Sequence, residues 1–181
     1  MEAQLTLCKI VEALGDEPCN VAVSSGGLAL PAGLKLPPNV RLFPTVPGAT
    51  VLARARLVVH LGGHGTLMQA LAAGVPSLLL PVNPDQILIA QKAHALGVGL
   101  NLWQPGGLPV DASWQDRVTP AVLRGAVQQL LAEERFAAAC RAFKERLSQV
   151  RAAAAAVEKL EALVRARARG GRSSSTVHAV H

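Results

Sequence analysis

The chain has no tyrosine, and aromatic residues make up only 3% of its 181 positions. Its core must therefore be packed from Leu, Val and Ala, within an apolar content of 50%. Cysteine is also scarce. Cys8, Cys19 and Cys140 show neither disulfide-framework nor metal-ligand spacing. That usage fits a reducing cytoplasm and implies no metal site. No apolar run is long enough to cross a membrane as a helix. The N-terminus carries Glu2 and lacks a basic leader region, so no signal peptide is expected. The length suits one ordinary domain with a real core.

Acidic residues are few: 12 against 18 Lys and Arg, for a net charge of +6. The excess is local, because ten of the eighteen cations lie between Arg135 and Arg172. A basic stretch raises the question of nucleic acid or an anionic membrane. Here it holds only Phe136 and Phe143 as aromatics, too few for a stacking platform. It reads instead as a solvated helical face with long cationic side chains.

Glycine is present where it matters. Residues 57–66 read Leu-Val-Val-His-Leu-Gly-Gly-His-Gly-Thr. Leu57 to Val59 has the pattern of a strand buried on both faces. Gly62, Gly63 and Gly65 form a turn, and helix formers follow from Thr66 until Gly74 and Pro76 stop them. The first amides of such a helix lack internal partners and sit at its positive dipole end. Strand, glycine turn and helix start together predict an anion site.

The remaining chain alternates strand and helix. Residues 2–14 place Leu7, Ile10, Val11 and Leu14 on one helical face. Strands are predicted at 20–25, 40–43, 77–82 and 98–102, and helices at 50–55, 65–73 and from Asp85 to Gly97. Segments 28–39 and 103–118 read as loops. Thr119-Pro120 is a cap followed by proline at the first helical position. Helix then runs, with one or two breaks, to about Arg169, and residues 170–181 read as a disordered tail. This is a doubly wound, parallel, Rossmann-like α/β sheet with C-terminal helices, one domain over 1–169. In such sheets ligands bind beyond the carboxyl ends of the strands. Four turns lie at those ends: 24–27, 46–48, 62–65 and 83–86.

Those turns also carry a resemblance. His60-Leu-Gly-Gly-His-Gly-Thr66, Ala70-Leu-Ala-Ala-Gly-Val-Pro76, Pro81-Val-Asn-Pro-Asp-Gln86 and Ala95-Leu-Gly-Val-Gly99 together look like the signature of GT-B glycosyltransferases. The likeness is to UDP-glycosyltransferases and bacterial antibiotic and macrolide glycosyltransferases, and specifically to their C-terminal, donor-binding domain. It implies that Gly62, Gly63, His64, Gly65 and Thr66 hold the donor diphosphate. It implies that Val46 and Pro47 meet the base, that Gln69 reaches the ribose, and that Asp85 and Gln86 bond the transferred sugar. The nucleotide sugar, UDP-linked, is a substrate, and no cofactor is implied.

This chain departs from the family in two ways. Leu61 stands where the family has a histidine near the phosphates. His60 and His64 flank that place, and strand alternation can turn His60 into the protein. The family domain also starts with an apolar strand before its first helix, whereas this chain starts at that helix. The expected sheet therefore lacks a middle strand. The catalytic base of the family lies in an N-terminal acceptor domain, so the resemblance names no catalytic residue here. It implies a donor-binding half that transfers a hexose to an acceptor hydroxyl only with such a domain or subunit. A non-catalytic nucleotide-sugar-binding module is the competing function. A nicotinamide dehydrogenase fits less well, because Met68 stands where close helix packing needs Gly or Ala. Ser24 and Ser25 lack the Gly-x-Ser-x-Gly of a nucleophile turn.

Overall fold

The computed structural model describes residues 2–28, 34–103, 118–150 and 152–170. The loop expected at 103–118 and the tail expected at 170–181 fall almost wholly outside these residues, as does part of the loop at 28–39. The chain divides into two compact units, residues 1–145 and 146–181.

The first unit opens with α1 (Glu2–Leu14), β1 (Val21–Ser24) and β2 (Val40–Phe43). It continues through α2 (Gly48–Leu52), β3 (Val58–His60), α3 (His64–Ala73), β4 (Ser77–Leu79), α4 (Pro84–Ala95) and β5 (Gly99–Asn101). α5 (Pro120–Ala132) and α6 (Glu134–Ser148) follow, and α6 runs into the second unit. α7 (Ala152–Gly170) lies in the second unit. Val157, Leu160, Leu163 and Val164 of α7 are all exposed, and Arg165 pairs with Glu161 one turn back at 2.7 Å. Each expected element forms, with ends shifted by up to three residues. α2 starts at Gly48 rather than at Thr50, because the Pro47 carbonyl accepts the Thr50 and Val51 amides at 3.0 and 3.1 Å.

Apolar side chains cover both faces of the strands. On one face, Leu7 and Val11 of α1 pack on Val23 and Val40. On the same side, Leu14 joins Leu78, Leu80, Leu100 and the α5 residues Leu123, Val127 and Leu130. On the other face, Leu52 of α2 and Ala70 of α3 enclose Val75, with Val58 against them. Val59 points the opposite way, into the α1–α5 core. This two-sided cover is the doubly wound pattern. Arg124 fixes α5 to the end of α1: its Nε donates to the Ala13 carbonyl at 3.0 Å and pairs with Glu17 at 3.3 Å. A cation there also suits the negative end of the α1 dipole.

All paired strands are parallel. β1 pairs with β2, and β3, β4 and β5 form a second sheet with β4 in the centre. Among the described residues β1 and β3 do not pair, so the strands split two and three. The split falls between β1 and β3, where the resemblance places a further strand.

Candidate donor site

The turn between β3 and α3 is built by its own residues. Gly62 has φ of +91°, a conformation that side-chain-bearing residues rarely adopt. A Cβ on Gly62 would also lie 3.1 Å from the Gln86 carbonyl oxygen. Glycine is thus required twice, by backbone angle and by close approach. The contact joins the glycine turn to the start of α4, and so brings together two predicted subsites.

Gly63 is the N-cap of α3 and supplies no side-chain bond. The Leu67 amide bonds the Gly63 carbonyl at 3.1 Å, which leaves the amides of His64, Gly65 and Thr66 ahead of the first helical bond. Nothing lies within 4 Å of a Cβ built on Gly63 or on Gly65. His64 and Thr66 are exposed. The result is an open, uncapped helix N-terminus with a positive dipole end.

His60 is turned inward. On β3 it shares parity with Val58, which packs towards α2 and α3. Its Nδ1 accepts the Gly62 amide at 3.1 Å, so the proton of the neutral ring sits on Nε2. Nε2 is buried and bonds no protein atom in the described residues. Burial holds the imidazole down to about pKa 4 from its ordinary 6.5. The imidazole therefore props the glycine turn from beneath, rather than facing outward with the α3 amides.

A pH dependence follows. A folded pKa below the unfolded one means the unfolded chain binds the extra proton. His60 therefore contributes stability fully above pH 6.5, and loses it as pH falls towards 4. Between pH 7 and pH 5 the expected loss is about 2 kcal/mol. Urea unfolding of wild type and His60→Asn at both pH values checks this. The two proteins losing equal stability would sink it.

The other predicted residues sit on the same rim. Val46 is half-buried and Pro47 caps α2. Gln69 is exposed on α3, and its Oε1 occupies the space a Cβ on Gly48 would need. Gln86 Oε1 accepts the Val82 amide at 2.9 Å, which folds the turn before α4 back on itself. Asn83 caps α4, accepting the Gln86 amide at 3.0 Å. Asp85 lies inside the first turn of α4, exposed. The cap of α4 is thus Asn83 and not Asp85, whose side chain is exposed.

Residues 9–163 match the family described as erythromycin biosynthesis protein CIII-like, C-terminal domain. The chain belongs to that family. Its relatives include the aclacinomycin-T 2-deoxy-L-fucose transferase of Streptomyces galilaeus, 35% identical over 73% of this chain and 28% of the relative. The UDP-glucosyltransferase avaP of Aspergillus versicolor is 30% identical over 84% of this chain and 31% of the relative. Among solved structures, the calicheamicin glycosyltransferase CalG4 superposes with a TM-score of 0.74 at 30% identity. That match covers 88% of this chain and 39% of CalG4. The fold is that of the C-terminal domain of GT-B glycosyltransferases. The chain spans about a third or less of the length of these two curated relatives.

Two features escaped the sequence. One is the Gly48–Gln69 contact, which joins residues 21 positions apart on different helices. The other is the Gly62–Gln86 approach, visible only once α4 is placed beside the turn. Among the described residues no three His, Cys, Asp or Glu converge as a metal site, and no helix is long and apolar enough to cross a membrane.

Proposed function

We propose that this domain binds a nucleoside diphosphate sugar, UDP-linked, as the donor half of a hexosyltransferase. The observation that carries the reading is the order of contacts along the rim. The base turn at Val46-Pro47-Gly48 touches Gln69, and Gln69 lies on α3. The start of α3 supplies free amides, and Gly62 beside it meets Gln86. Base, ribose, diphosphate and sugar follow each other in the same order in a nucleotide sugar. The uncapped amides of His64, Gly65 and Thr66 stabilise the charge that grows on the leaving diphosphate. His60 acts through the turn it holds. Asp85 accepts from a sugar hydroxyl, and the Gln86 amide nitrogen donates to one, its oxygen being spent on Val82. The acceptor hydroxyl is activated by an N-terminal acceptor domain or subunit, and the enzyme works in the cytoplasm. Three free cysteines support that last assignment.

Asp85→Ala is expected to weaken UDP-glucose binding about tenfold while leaving free UDP within about twofold. Gln86→Ala should show the same split together with a lower melting temperature, because it also frees the Val82 amide. Calorimetry with both ligands is the test. Equal weakening of UDP and UDP-glucose in Asp85→Ala would remove Asp85 from the sugar subsite.

A further inference from the structure

We propose that Gly48 is a positioning residue for the nucleoside end of the site, and that its role is to leave room for the Gln69 side chain. This rests on the nucleotide reading above and adds a residue to it. Gly48 is the first residue of α2, directly after Pro47. Its φ is not positive, so the backbone does not demand glycine. Alanine favours a helix more than glycine does, so local propensity also argues against glycine here. The conflict a Cβ would meet within 4 Å is with Gln69 alone, at its Oε1 and Cδ atoms.

Gln69 leans from α3 over the first residue of α2, and its carbonyl fills the place of the absent side chain. One amide thereby spans the base turn and the helix that offers the phosphate amides. A side chain fixed before the ligand arrives loses less rotamer freedom on binding. An alanine at 48 displaces the flexible end of Gln69 and leaves the surrounding backbone alone.

Gly48→Ala, Gln69→Ala and the double variant, titrated with UDP and melted in parallel, decide the matter. The expected result is about a tenfold loss of UDP affinity in each single variant. The double variant should be no weaker than either single one, because both remove the same contact. Gly48→Ala should melt no lower than wild type. Wild-type affinity in Gly48→Ala overturns the proposal. So does a double variant about a hundredfold weaker, since losses that add come from independent contacts. A Gly48→Ala that melts well below wild type also overturns it, because the glycine then serves the fold. Wild type failing to bind UDP overturns the nucleotide reading itself and this inference with it. UDP bound by wild type and equally by Gly48→Ala overturns this inference alone.

Discussion

Gly63→Val is expected to abolish UDP binding and to leave the fold standing. The backbone at Gly63 has φ of −60° and ψ of 133°, an extended conformation that suits a β-branched residue. Nothing lies within 4 Å of a Cβ built there, so the branch point of a valine has open space. What valine does meet is the approach to the free amides of His64, Gly65 and Thr66. A phosphate kept from those amides loses its hydrogen bonds and the dipole field together. The expected fall in affinity is at least about a hundredfold. Gly63 is half-buried and is the N-cap of α3, where valine is less favourable than glycine, so a stability cost of about 1 kcal/mol is expected, small enough to keep the fold. Calorimetry and thermal melting on the same two samples separate the effects. Wild-type affinity in Gly63→Val would remove the diphosphate from this turn. Gly62 does not offer so clean a test. A side chain there is strained at φ +91° and presses on the Gln86 carbonyl, so binding and folding would fail together.

The contrast between these glycines shows what the sequence reveals and what it hides. The strand, turn and helix over 57–73 were legible, because an apolar run, clustered glycines and helix formers follow each other within one short segment. Which glycine opens space and which closes it was not legible. That depends on α4, whose first turn comes to rest against Gly62. His60 shows the same limit. Strand alternation allowed an inward ring, but the bond from the Gly62 amide to Nδ1 depends on how the turn folds back. The helix cap of α4 is a third case. Asn83-Pro84-Asp85 offers two capping side chains two residues apart. Asn83 takes the role, because its own backbone is extended and the Pro84 that follows begins the helix. The alternation of elements carried the fold class, while the contacts across the rim, Gly62 to Gln86 and Gly48 to Gln69, depend on tertiary packing. Only the former leave a periodic trace in the chain.

The split between the strands leads to the second large expectation. The Val21 and Ser25 amides bond across to β2 at 2.8 and 2.9 Å. By alternation, Ala22 and Ser24 present their backbone groups to the opposite edge. On β3, the Val58 amide bonds the Pro76 carbonyl at 3.0 Å, and the His60 carbonyl accepts from Leu80 at 2.9 Å. Val59 therefore presents its backbone to the edge away from β4. Val21 and Val59 pack on the same apolar cluster, so both open edges border one core. Ala22 and Ser24 are exposed and Val59 is half-buried, so these backbone groups form edges that water or another strand can reach. Such edges open easily or recruit another strand. In hydrogen exchange on the purified chain, the amides of Ala22 and Val59 should be protected at least about a hundredfold less than those of Leu78 and Leu80. Leu78 lies in the central strand β4 and the Leu80 amide is bonded to His60, so both exchange only when the β3–β4–β5 sheet opens. Equal protection at all four positions would mean that β1 and β3 are joined in solution, directly or through a strand taken from a second copy. Size-exclusion chromatography tells those two cases apart, because only the second changes the mass of the particle.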